Sequence, residues 1–162
     1  MRRTSRSYVR PSAATPSGAL ELSIIDRVVG LNHLVRSLHV FAAAAAPVAG
    51  RQDDDAWTTS PSPARALREA LGKALVDYYP LAGRFVEEDG EVRVACTAEG
   101  AWFVEAAAAF SLDDAGRLDQ YPYVIPEDDL LPDAAPDVVP LNLPLAMQVQ
   151  IYILTTMVQG CQ

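Results

Sequence analysis

His33 and His39 are the only imidazoles in the 162-residue chain, and they are the first places to look for acid–base chemistry. Their neighbours do not equip them for it. Ser37 stands four residues after His33 and Ala43 four after His39, so neither is followed by an aspartate at that spacing, and no H-E-x-x-H zinc pair occurs. A lone histidine on a strand is more often a hydrogen-bonded structural residue than a chemical one. Cys96 and Cys161 lie far apart and lack metal-ligand spacing. Cys96 has apolar neighbours, which raise a thiol pKa, so it reads as a buried strand residue and not a nucleophile. The cysteine usage fits a reducing, cytoplasmic setting better than a disulfide framework. Asp53, Asp54 and Asp55 form a triplet without the ordered loop of oxygen ligands that a cation needs, and they read as solvated surface. Glu127, Asp128 and Asp129 could be paired acids for proton transfer. Without a cleft or a partner they read as a solvated turn. No catalytic set and no metal set emerges from these residues.

The elements that would have to position any chemistry are clearest between residues 62 and 109. Ser62 is a good N-cap and Pro63 suits the first helical position. Leu67, Ala70, Leu71, Ala74, Leu75 and Tyr78 then recur at three- and four-residue spacing and line one helix face, with Arg65, Arg68, Glu69, Lys73 and Asp77 on the other. Pro80 ends the helix and Gly83 permits a tight turn. Residues 86–94 alternate around Asp89-Gly90, a strong hairpin signal, and Trp102, Val104 and Ala106 alternate with Phe103 and Glu105 as a further strand. The expected arrangement is α+β, with the helix on an antiparallel sheet made by the hairpin and that strand.

The rest of the chain is less regular. Residues 1–18 carry Arg2, Arg3, Arg6 and Arg10 with no acid; they read as an extended, Pro-punctuated leader, with an organelle transit peptide as the alternative. Residues 31–41 alternate as a strand, placing Leu34, Arg36, Leu38 and Val40 on one side and His33, Val35, Ser37, His39 and Phe41 on the other. Residues 42–60 read as a linker in which Trp57 is a local anchor. Residues 111–118 predict a short helix, with Ser111 as N-cap and Asp114 at the capping-box position. Prolines at 122, 126, 132, 136, 140 and 144 predict irregular wrapping, and residues 146–154 a strong strand. The net charge of −8 argues against nucleic acid, and no apolar run is long enough to span a membrane.

Four segments taken in order resemble the plant BAHD acyltransferases, the acyl-CoA-dependent family that shares a fold with chloramphenicol acetyltransferase. LSIID with Asp26 resembles the family's L-S-x-x-D. ALGKALVDYYPLAGR resembles its A-L-x-x-x-L-x-x-Y-Y-P-L-A-G-R run, at Tyr78, Tyr79, Pro80, Leu81, Ala82, Gly83 and Arg84. VACTAEGAWFVEA resembles C-x-x-E-G-x-x-F-V-E-A, at Cys96, Glu99, Gly100, Phe103, Val104 and Glu105, and PLAMQVQ resembles P-L-x-x-Q-V-T. The RTSRS and DRVVGLNHLVRSLHVF runs are nearest the branch holding taxane-type acyl and benzoyl transferases and grass hydroxycinnamoyl-CoA transferases.

The resemblance implies a partial N-terminal half of a chloramphenicol-acetyltransferase-like domain over residues 19–154, a mixed, mainly antiparallel sheet with a helix packed on it. Residues 155–162 would be an off-pattern tail, and a C-terminal domain would be absent. The implied reaction moves an acyl group from acyl-CoA, as co-substrate, to a hydroxyl or amine of a small metabolite, with no bound cofactor. A histidine of an H-x-x-x-D-G motif would take the acceptor's proton, because a neutral hydroxyl is a poor nucleophile. No residue here matches that histidine, its aspartate or the family's D-F-G-W-G, so no catalytic residue is assigned. By resemblance alone, Ser37 and His39 correspond to acceptor-lining positions. Apolar sheet surface left open by a missing half would favour association with another protein.

Overall fold

The computed structural model describes residues 1–27, 35–41, 62–116, 118 and 120–152. The first helix, α1 (Pro63–Asp77), begins as its sequence predicts: the Ser62 side chain accepts a hydrogen bond from the Arg65 N–H at 3.3 Å, and Pro63 fills a first-turn position. After Tyr78 the chain tightens into a 3-10 turn, Tyr79–Ala82, around Pro80. The buried face differs from the expected one. Ala64, Leu71, Gly72 and Leu75 are buried, whereas Leu67, Ala70, Ala74 and Tyr78 are exposed.

Arg68 is the reason for the rotation. Expected on the outer face, it turns inward, donating to Ser7 Oγ at 2.5 Å and to the Glu105 carboxylate at 2.9 Å, with its guanidinium 4.7 Å from the Phe103 ring centroid. Hydrogen bonds to charged groups contribute about 1.5–3 kcal/mol each. Two of them outweigh the roughly 1.5–3 kcal/mol from burying one leucine.

Asp89 (φ 54°) and Gly90 (φ 77°) both adopt left-handed backbone, which is the two-residue turn that Asp-Gly favours. They join β3 (Arg84–Glu88) to β4 (Glu91–Cys96) in an antiparallel hairpin. The hairpin and β5 (Ala101–Ala107) do not share a sheet, contrary to the expectation. β4 lies between β3 and β2 (Gly18–Glu21). β5 lies in a second sheet, antiparallel to β1 (Arg2–Val9) and parallel to β6 (Ala146–Ile151). The split occurs at residues 97–100, where Ala98 (φ 53°) and Gly100 (φ 105°) turn the chain out of the hairpin. The helix therefore packs on a mixed sheet, β1-β5-β6.

Residues 2–9 are thus a strand of the main sheet and not a loose leader. Their polar side chains are held by partners across the sheet. Arg3 donates to the carbonyls of Asp128 (2.6 Å) and Leu131 (3.0 Å), and Arg6 pairs with Asp133 at 2.5 Å. Residues 35–41 form no strand and are exposed, with no partner strand among the described residues; Leu31, His33 and Leu34 lie outside those residues, as do the linker and Trp57. Among the described residues, only one turn of the helix expected at 111–118 forms. Ser111 and Asp114 do exchange bonds: Ser111 Oγ accepts from the Asp114 N–H, and the Asp114 carboxylate accepts from Ser111. Gly116 (φ 74°) then ends the turn. The Pro-rich stretch wraps irregularly, containing only α2 (Glu127–Leu130) and a 3-10 turn at Pro140–Asn142.

β5 is buried on both faces. Ala101 and Phe103 meet Leu71, Leu75 and Val9 under α1, while Trp102 and Val104 meet Ala135 and Leu143 of the wrapping stretch. Arg84 joins the two sheets. Buried, it donates through Nη1 to the carbonyls of Gly83 (2.6 Å) and Gly100 (2.9 Å), and it lies 4.9 Å from the Tyr8 ring centroid. Its Nε is 3.4 Å from the half-exposed Glu99 carboxylate but is not aligned for a hydrogen bond. A Cβ on Gly100 would stand 2.5 Å from the Val9 carbonyl, and one on Gly83 would collide with the Ala95 carbonyl, so both backbones approach too closely for a side chain. Arg84→Lys keeps the charge and loses the planar fork; it is expected to destabilise the protein by about 1–3 kcal/mol, read as a lower urea midpoint.

Candidate functional site

Two cavities flank α2. The smaller, about 70 Å³, is lined by Arg36, Ser37, Leu38, Tyr123, Glu127, Leu130 and Leu131. The larger, about 320 Å³, is lined by Met1, Phe110, Asp114, Val124, Ile125, Pro126 and Asp129. α2 forms because Pro126 starts it and three acids occupy its first turn, where the helix N-terminus favours negative charge. Leu130 is its one buried residue and anchors it inward.

The structure separates the two acceptor-side candidates. Ser37 lines the small cavity; His39 is not among its lining residues and is exposed further along the same segment. Residues 35–41 meet α2 through the Arg36–Glu127 ion pair at 2.7 Å, and Leu38 lines the small cavity with Leu130. The paired acids of the sequence thus have a role: Glu127 holds Arg36, and the main-chain carbonyls of Asp128 and Asp129 accept from Arg3 and Gln148. Arg36 and Glu127 are 91 residues apart, and nothing local in the sequence marks them as a pair. Tyr123, Leu130 and Leu131 are equally silent, being ordinary residues of a Pro-rich stretch.

Among the described residues, the groups whose titration is shifted sit in structural places. Asp114 is held below the ordinary aspartate range by hydrogen bonds from the Ser111 side chain and backbone, a structural cap. Burial pushes the Cys96 thiol up, in keeping with its place in β4 and with the reading that it is no nucleophile. Burial also raises Tyr152, which meets Phe110 edge to face at 5.9 Å between centroids. A 70 Å³ cavity holds roughly two water molecules. Among the described residues it is too small for a metabolite. The LSIID segment forms a capped turn, with Ser23 Oγ donating to Asp26 at 2.6 Å, and Arg27 beyond it pairs with Glu91 on β4 at 3.1 Å. Among the described residues no helix is long and apolar enough to cross a membrane.

This geometry is a set of packed family segments, and the comparisons agree. The Transferase family model matches residues 1–152, and the chain belongs to that family, the plant BAHD acyltransferases. It is 67% identical over 153 residues to Acyl transferase 4 of Oryza sativa subsp. japonica, covering 91% of this chain and 33% of that protein. It is 42% identical over 150 residues to a myricetin 3-O-glucosyl 1,2-rhamnoside 6'-O-caffeoyltransferase of Crocosmia x crocosmiiflora, covering 91% of this chain and 31% of that one. The fold is similar to that of vinorine synthase, with a TM-score of 0.56 and 23% identity over 93% of this chain and 34% of that structure. The chain spans about a third of the length of the relatives it matches.

Reversing the charge at the ion pair tests how residues 35–41 are held. Glu127→Arg is expected to speed trypsin cleavage after Arg36, followed by mass spectrometry. Global stability should change by no more than about 1 kcal/mol, since both partners are well exposed.

Proposed function

We propose that these 162 residues are the front part of an acyl-CoA-dependent O- or N-acyltransferase acting on a small plant metabolite, and that alone they transfer no acyl group. The family match over residues 1–152 carries the first half of this reading. The second half rests on the sequence, which contains no H-x-x-x-D-G. Removal of a hydroxyl proton as the acyl bond forms needs a positioned base, and His39 is exposed and lines neither cavity beside α2 among the described residues. The acyl donor in this reading is a CoA thioester used as co-substrate, and the cysteine usage supports a cytoplasmic location.

The purified chain, given hydroxycinnamoyl-CoA thioesters and candidate alcohols or amines, is expected to release no CoA above the buffer rate. Release that depends on an acceptor would overturn the inactivity. A chimera placing residues 1–150 ahead of the remaining two thirds of the rice Acyl transferase 4 is expected to restore transfer. Failure of a soluble, folded chimera would count against the family role of this front part.

A second reading is association with a longer homologue. The observation favouring it is the helix row Leu67, Ala70, Ala74 and Tyr78, continued by Leu81, apolar and exposed at three- and four-residue spacing. Immobilised rice Acyl transferase 4 should then retain the chain, and Leu67→Asp should abolish retention.

A further inference from the structure

A regular strand sends residues three apart to opposite faces. Arg3 and Arg6 of β1 depart from that rule. Arg3 lies opposite Ala106 and Arg6 opposite Val104, two positions apart on β5, so both arginines share the face that carries Trp102. The extra residue is Thr4. The register skips it, running from Arg3 opposite Ala106 to Ser5 opposite Glu105, and its Oγ1 donates to the Glu105 carbonyl at 3.2 Å. A bulge of this kind re-aims the side chains beside it.

Both arginines reach one short span of the wrapping stretch. Arg3 donates to the carbonyls of Asp128 and Leu131, and Arg6 pairs with the Asp133 carboxylate. Two more side chains of the same face close on that span. Trp102 of β5 donates to the Asp133 carbonyl. Gln148 of β6, opposite Val104, donates to the Asp129 carbonyl at 2.7 Å and accepts from Arg3 at 3.3 Å. Each strand of the main sheet thus contributes a grip. The backbone bonds of the wrapping stretch are local: Asp129 to Pro126, Asn142 to Val139 and Leu143 to Pro140. Among the described residues no backbone bond runs from 127–143 to a strand, so lifting this layer would break no sheet bond. The apolar cluster beneath it, with Trp102, Val104, Ala135 and Leu143, shares no residue with the cluster under α1.

We propose that Arg3 and Arg6 form a latch, set by the bulge at Thr4, whose release opens residues 128–143 as a unit and bares Trp102 while the sheet and α1 stay folded. A layer held by side chains over its own apolar cluster has the makings of a separate opening unit. The bulge gives up one ladder pair of β1, and the bonds made by the two arginines offset that loss. Without the extra residue Arg3 would stand opposite Ala107, on the face that meets α1, out of reach of the wrapping stretch.

Hydrogen exchange and Trp102 fluorescence of the full chain, in a Trp57→Phe background, test this. Arg3→Thr removes the bonds to Asp128, Leu131 and Gln148. The Asp129, Asn142 and Leu143 amides should then exchange about tenfold faster or more, and acrylamide should quench Trp102 more strongly. The amides of α1 should keep their rates. Adding Thr4→Arg to Arg3→Thr supplies an arginine where a regular, unbulged strand lies opposite Ala106, and exchange and quenching should return to their starting values. Unchanged exchange at 128–143 in Arg3→Thr overturns the latch. Equal acceleration in α1 overturns it as well, because the chain then opens only as a whole. A double variant that stays as open as Arg3→Thr overturns the part given to the bulge.

Discussion

The structure depends on keeping both faces of β5 dry. Phe103, Ala101 and Val104 are fully buried, and Trp102 and Ala106 nearly so. A strand covered on one face needs a helix; one covered on both needs a second layer from somewhere else. Here α1 supplies the first layer and the Pro-rich stretch from 131 to 145 supplies the second. That stretch cannot be helix or sheet, and its irregular backbone is acceptable only because other groups meet its carbonyls. The Trp102 indole donates to the Asp133 carbonyl at 2.8 Å, so the residue that most needs covering also fastens its cover.

Arg84 and the glycines on either side of it solve a related problem. Two sheets that share no strand need a joint, and this one is made of backbone pressed against backbone. The buried arginine fork supplies donors to two carbonyls, and its guanidinium lies over the Tyr8 ring. This gives a physical reason for a Gly-Arg pair directly after the helix-ending turn, independent of any chemistry at an active site.

The parts legible in the sequence are those governed by local rules. The span of α1, the Asp-Gly hairpin, the Ser111–Asp114 exchange and the β6 strand each follow from neighbouring residues. The parts that were not legible are governed by distant partners. β1 reads as RRTSRSYV, without apolar alternation, because Arg3 and Arg6 are satisfied by polar groups more than a hundred residues away and only Tyr8 and Val9 at its end join the core. The helix face was misjudged because an arginine that looks solvated finds a serine and a glutamate on the sheet. Residues 35–41 alternate as a strand should, yet alternation says nothing about whether a neighbour exists to complete the ladder. For the site, Ser37 reached a cavity and His39 did not; only the family resemblance suggested either of them.

The way the wrapping stretch is fastened has a consequence for its divergence. Arg3, Gln148 and Trp102 all grip main-chain oxygens, of Asp128, Leu131, Asp129 and Asp133, and those oxygens survive most replacements of the residues that bear them. Among these fasteners the Asp133 carboxylate, held by Arg6, and the Glu127 carboxylate, held by Arg36, ask for a particular side chain. The main-chain fasteners are read by shape and not by spelling, so the exposed positions of this stretch are free to drift around its buried Ile125, Leu130, Ala135 and Leu143, and a line of descendants could recolour that surface while the strap stayed shut.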